Sequence, residues 1–177
     1  MKFTKEDARK RVLNCAKQYQ QNLLHKKLLI IFRERQDNSI RFIEVIFHER
    51  NYQHLTGLEL TNTEGKILQH QSKNFYRKCI ENKLGLNDVD KVMGGVNFCL
   101  GLSRENDVFI PSSALLEDIK KLTSSPSQVL AIFEKDIDSD LYSTVKHVAK
   151  GLNLHHLILP PEISSKISLE HYVYRGK

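Results

Sequence analysis

The chain has 177 residues, 40% of them apolar and 27% charged, and a formal net charge of +6. That composition suits one globular domain with a real core, and four prolines and eight glycines exclude a low-complexity or collagen-like chain. No apolar run is long enough to span a bilayer. No apolar signal region follows "MKFTKEDARKR", and Cys15, Cys79 and Cys99 lack metal spacing, so the expectation is a cytoplasmic protein with reduced, buried thiols.

Thr4 is placed to cap a first helix, with Glu6 and Asp7 near its positive end. Ala8, Val12, Cys15, Tyr19 and Leu23 recur at helical spacing as its apolar stripe, and Arg9, Lys10 and Lys17 lie off that stripe. Residues 1–35 hold ten Lys/Arg against three Asp/Glu, so the positive charge is concentrated at this end. A basic end on a near-neutral body suits a polyanion such as nucleic acid, and a solvated helix face explains it equally well.

Leu28 to Phe32 is a short apolar run that reads as a strand. "SIRFIEVIFHE" alternates cleanly, with Ile40, Phe42, Glu44, Ile46 and His48 on one face. "QDNS" supplies turn formers between them, which predicts a hairpin. "NYQHLTGLEL" then breaks the pattern with His54, Thr56 and Gly57 in a turn. Ser72 can cap a helix over "KNFYRKCIENKL", with Phe75 and Cys79 inward, Lys73, Arg77 and Glu81 outward, and Gly85 as its stop. Val96 to Leu102 reads as a short strand, and Pro111-Ser112 as the start of a helix over "SALLEDIKKL".

"QVLAIFEK" is a strand. "LYSTVKHVAKG" fits two patterns. A helix aligns Leu141, Val145 and Val148, and a strand places Tyr142, Thr144 and Lys146 on one face. "LHHLILPPEI" reads as an extended segment stopped by Pro160 and Pro161, and "EHYVYRGK" as a last strand. On a strand His155 and His156 point to opposite faces, so they do not jointly bind a metal. No phosphate-cradling loop, nucleophile elbow or zinc spacing is present.

His54 is the histidine to single out. It follows a strand, Gly57 permits a sharp turn, and imidazole titrates near neutrality, which suits proton transfer at a ribose 2′-hydroxyl. A histidine bonded to backbone in a turn is the plainer reading. Lys135 can stabilise phosphorane charge or simply end its strand. Lys73 and Arg77 can edge a phosphate-contacting helix or a solvated one.

Taken together, "IEVIFHERNYQHLTGLEL", "FYRKCIENKL" and the later "QVLAIFEKD" and "YSTVKHVAKGLNLHHLILP" resemble the fourth phage-associated group of the nuclease superfamily named after barnase, EndoU, colicin D and RelE. The resemblance spans roughly residues 28–160 and centres on Asn51, Tyr52, His54, Thr56 and Gly57. It implies an α+β fold with an N-terminal helix and an antiparallel β-meander of about four strands, helices packed on one face. It favours the strand over 141–149. Residues 1–177 then form a single nuclease-like domain, with a basic helix over 1–26, a core over 27–160 and a C-terminal segment over 161–177.

The activity implied is metal-independent RNA cleavage by 2′-hydroxyl transesterification, with no cofactor. His54 is one proton shuttle, Lys135 the cation, Tyr142 and Thr144 positioners, and His147 a reserve shuttle. Tyr52, Thr56, Arg50, Lys73, Arg77, Lys10 and Lys17 are the expected nucleic-acid contacts. A small basic phage-type protein is also similar to some type II anti-CRISPR proteins. That implies guide RNA, or a guide RNA–effector complex, as partner, with no membrane involved. The alternative is a catalytically inactive nucleic-acid-binding or protein-interaction module that uses the basic N-terminal helix.

Overall fold

The computed structural model describes residues 4–56, 72–81, 99–115, 119 and 124–168. The elements in chain order are α1 (Lys5–Asn22), β1 (Lys26–Arg33), β2 (Ile40–Ile46), α2 (Asn51–Thr56), α3 (Ser72–Ile80), β3 (Cys99–Glu105), β4 (Val108–Leu115), β5 (Gln128–Asp136), β6 (Thr144–Val148) and α4 (Pro161–Ser164). The fold is α+β. Its sheet has six strands in the order β3-β4-β2-β1-β5-β6, more than the expected four. It is mixed rather than a pure meander, because β4 joins β2 in parallel through Val45 and Phe109.

The chain contacts group into two compact units. Unit one draws on Met1–Leu24, Phe47–Ser103 and Ile110–Asp118; unit two draws on His25–Ile46, Arg104–Phe109 and Ile119–Lys177.

In unit one, α1 begins where the sequence predicts. The Thr4 hydroxyl accepts from the Asp7 amide at 3.1 Å, and the Asp7 carboxylate accepts from the Thr4 amide at 3.0 Å, a reciprocal capping box. The buried stripe is Ala8, Val12, Leu13, Ala16 and Tyr19. Cys15, expected inside, is exposed, because the stripe advances from Val12 by four residues to Ala16. Cys79 is buried as expected and Cys99 half-buried. On α3, Phe75, Tyr76 and Cys79 face inward. The expected stop at Gly85 lies outside the described residues.

Residues 108–115 overturn the helix expected from Pro111. They form β4, entered by a tight turn at Asn106, whose φ is 56°. Val108, Phe109 and Ile110 favour extended backbone and carry the chain through Pro111 as strand. The rest of the expected helix lies outside the described residues, Ile119 excepted.

Unit two is built on the predicted hairpin. β1 and β2 pair antiparallel with Leu29 opposite Glu44 and Ile31 opposite Phe42. β1 also pairs with β5, with Lys27 opposite Lys135 and Leu29 opposite Phe133. Opposed residues share a face, so Leu29, Ile31, Ala131 and Phe133 form one apolar surface. Tyr142, Val145, Ile163 and Ile167 complete its core. Each fully buried side chain of this size stabilises by about 1.5–3 kcal/mol.

The segment 141–149 holds a strand, β6, rather than a helix, as the resemblance favours, but its faces differ from strict alternation. Tyr142 and Val145 are both buried, while Thr144 and Lys146 are exposed. The cause is a second pairing. The Tyr142 amide donates to the Lys166 carbonyl at 2.8 Å, and the Ser168 amide donates to the Tyr142 carbonyl at 3.0 Å. Tyr142 is thereby held against Ile167 before β6 begins. A register shift between Ile132 and Phe133 moves the ladder again.

Beyond β6 the expected extended segment is instead a 3-10 turn over Leu154–His156, followed by α4 with proline in its first turn. His155 and His156 are exposed on that 3-10 turn. The expected last strand lies outside the described residues.

Candidate active site

The segment after β2 is a short helix rather than an irregular loop. The His48 amide donates to the Asn51 side-chain oxygen at 2.9 Å, and the Asn51 amide returns to the His48 carbonyl at 2.9 Å. The Asn51 side-chain amide donates to the Pro111 carbonyl at 2.8 Å. With both ends of a buried side chain satisfied, Asn51 locks the turn and ties it to β4. The Tyr19 hydroxyl donates to the same His48 carbonyl at 2.8 Å.

Tyr52 is the second anchor. It is 3% exposed, and its hydroxyl donates to the Val12 carbonyl at 2.6 Å. Its ring lies 5.2 Å from Tyr19, 6.1 Å from Phe75 and 5.8 Å from Tyr76 between centroids. These tilted and edge-on pairs tie α1, α2 and α3 together. Burial pushes the phenols of Tyr19 and Tyr52 well above their ordinary range, so both act as neutral donors. Tyr52, expected as a nucleic-acid contact, has its ring inside this aromatic core.

His54 lies on the exposed side of α2, two residues from Tyr52. The Thr56 hydroxyl donates to the Gln53 carbonyl at 2.7 Å, which closes the helix's last turn. Gly57 lies outside the described residues. Of the expected nucleic-acid contacts, Lys10, Lys17, Arg50 and Arg77 are exposed, all in unit one. Lys10 and Lys17 are seven residues apart on α1, which puts them on one helix face. The Lys73 side chain lies outside the described set.

The other expected catalytic residues belong to unit two. The Lys135 ammonium donates to the carbonyls of Ser139 at 2.6 Å and Asp140 at 3.1 Å and lies 5.1 Å from the centre of the Tyr142 ring. It clips the β5–β6 connection. Tyr142 is 1% exposed and donates its hydroxyl to Glu44 at 2.7 Å. Thr144 pairs with Glu134 and is exposed. His147, opposite Ile132, is exposed.

Glu44 organises this unit, a role the sequence reading missed. Lys27 lies 3.2 Å from one carboxylate oxygen and Lys166 3.5 Å from the other. Burial works to raise the Glu44 carboxyl. The Tyr142 hydrogen bond and the two lysines outweigh it, so the net shift is downward. Burial, then the bond to Glu44, pushes the Tyr142 phenol upward. The sequence signal was a single carboxylate on an otherwise apolar strand face, which demands buried partners.

Among the described residues, no group of three or more His, Cys, Asp and Glu side chains is placed to hold a metal ion, and no helix is long and apolar enough to cross a membrane.

The family model described as phage-Barnase-EndoU-ColicinE5/D-RelE like nuclease 4 matches residues 11–95, the stretch from α1 through α3. The resemblance read from the His-Leu-Thr-Gly motif is borne out over that segment as a likeness to this family. No curated protein and no solved structure matches the chain.

Proposed function

We propose that the chain is a metal-independent ribonuclease that cleaves by 2′-hydroxyl transesterification, with His54 as a proton shuttle. The observation that carries this reading is the contrast within α2. Asn51 and Tyr52 are buried and fully engaged, while His54 is exposed. Such an arrangement spends two residues of the motif on holding a third in place.

In this chemistry a base takes the 2′-hydroxyl proton, the 2′-oxygen attacks the adjacent phosphorus, and an acid protonates the departing 5′-oxygen. His54 serves one of these transfers. Arg50 and Arg77 supply positive charge for the phosphorane. Lys135 and Tyr142 are better read as structural, since their polar atoms engage Ser139, Asp140 and Glu44. Thr144 stays a positioning residue in this reading. The likeness to a phage-associated nuclease family supports host RNA as the substrate class in this reading, with a guide RNA of a host CRISPR complex as one such substrate.

The test is cleavage of a single-stranded RNA in EDTA by the purified chain. The expected product carries a 2′,3′-cyclic phosphate, and an oligonucleotide with 2′-deoxy sugars throughout stays intact. Cleavage of the deoxy strand at the same rate refutes the mechanism.

The exposed Lys10 and Lys17 favour a second reading, an inactive nucleic-acid-binding module that contacts phosphates through α1. It predicts RNA binding that weakens steeply with salt, without cleavage.

A further inference from the structure

The turn between β1 and β2 borders a depression of about 370 Å³ lined by Arg33, Glu34, Arg35, Asn38, Pro126 and Gln128. Its size falls at the lower end of small-ligand sites, about 300–1,000 Å³. All six residues belong to unit two.

The turn is prebuilt. The Ser39 amide and hydroxyl donate to Asp37 at 2.9 and 2.6 Å, and the Glu34 amide donates to the Ser39 carbonyl at 2.9 Å. Asn38 takes the left-handed conformation, with φ at 58°.

Of the two nearby acids, Asp37 is held by Ser39 and Arg41, and Glu34 lines the depression itself, flanked by Arg33 and Arg35 in sequence. Asp37 also receives Arg41 at 3.0 Å. The bonds from Ser39, with Arg41 beside them, hold the Asp37 carboxyl down to about 2. The Ser127 hydroxyl donates to Glu34 at 2.6 Å. Arg33 is different. Among the described residues its Nε is buried without a hydrogen-bond partner, and its guanidinium makes a long 3.4 Å bond from Nη1 to the Asn38 side chain. Gln128 lies directly across the ladder from Arg33 with its side chain exposed, and Arg35 is exposed beside them.

We infer that this depression is a phosphate-binding subsite, in which the Arg33 fork, Arg35 and the Gln128 amide take a backbone phosphate of a nucleic-acid strand. The Nε is closed to a ligand, so the Nη groups of Arg33 beside a second arginine are what match the paired oxygens of a phosphodiester. The assignment of that phosphate to nucleic acid rests on the nuclease reading above, and the chemistry of the pocket does not.

The test uses the 15N-labelled full chain, titrated at constant ionic strength with sodium phosphate and, separately, with a single-stranded DNA oligonucleotide, which has no 2′-hydroxyl to react. The expected result is a saturable shift of the Arg33 Nε–H signal and of amides 34–39 with both ligands. Affinity falls about tenfold in Arg33→Lys, which keeps the charge and loses the fork. Arg35→Ala, a change at an exposed side chain, weakens the oligonucleotide as well.

No saturable shift at these signals, or unchanged affinity in both variants, overturns the subsite. Phosphate binding without oligonucleotide binding overturns its assignment to nucleic acid. Neither titration involves cleavage, so failure of the His54 mechanism leaves their outcome intact.

Discussion

The Tyr142 hydroxyl reaches Glu44 at 2.7 Å across 98 residues of sequence and binds the segment before β6 to the centre of β2. Lys27 and Lys166 complete the set around the same carboxylate. Removing any one partner leaves a charge in a half-buried place, which is the costly way to break such a cluster.

Tyr142→Phe keeps the ring and deletes the donor. Unfolding in urea should show a loss of about 1.5–3 kcal/mol, the range for a hydrogen bond to a charged group. A loss near zero would mean that the hydroxyl bond is fully replaced by the two lysines.

The same carboxylate gives unit two an acid sensitivity. The folded Glu44 pKa lies below its ordinary 4.5. Its contribution is therefore fully present above that value and is lost as pH falls through the lowered folded pKa. Glu44→Gln should flatten the fall of the urea midpoint between about pH 5 and pH 2 relative to the parent. An identical slope in the two proteins would show that other carboxylates govern acid unfolding.

Asn51→Ala orphans the His48 amide and the Pro111 carbonyl, at about 1–3 kcal/mol for each group left unpaired inside. Asn51→Asp keeps the acceptor for His48 but sets a carboxylate oxygen against the Pro111 carbonyl in a buried place, so it should lose at least as much as alanine. Thermal unfolding ranks the three proteins. Equal melting temperatures for alanine and parent would remove Asn51 from its anchoring role.

The hairpin was legible because apolar and polar residues alternate through β2 and the turn formers sit between the strands. The N-cap of α1 was legible from Thr4, while the reciprocal bond from Asp7 was read only as a favourable charge near the helix end. Other features depend on contacts distant in sequence. Tyr142 reads as part of β6 until the backbone of Lys166 and Ser168 claims it. Pro111 reads as a helix start, and β4 overrides that because three extended-favouring residues precede it. Tyr52 reads as a nucleic-acid contact until its ring is set among Tyr19, Phe75 and Tyr76. The motif around His54 was visible in the sequence, while the division of labour within it, two anchors and one exposed ring, needed the packing.

The central claim is that the exposed ring on this anchored turn transfers a proton during RNA cleavage. The direct measurement is the single-turnover cleavage rate of one RNA in EDTA for the parent and for His54→Ala, with the fold of each checked by thermal melting. Loss of a positioned proton-transfer group predicts a fall of about 10²–10⁴-fold at an unchanged melting temperature. Cleavage by His54→Ala at the parental rate would contradict the account.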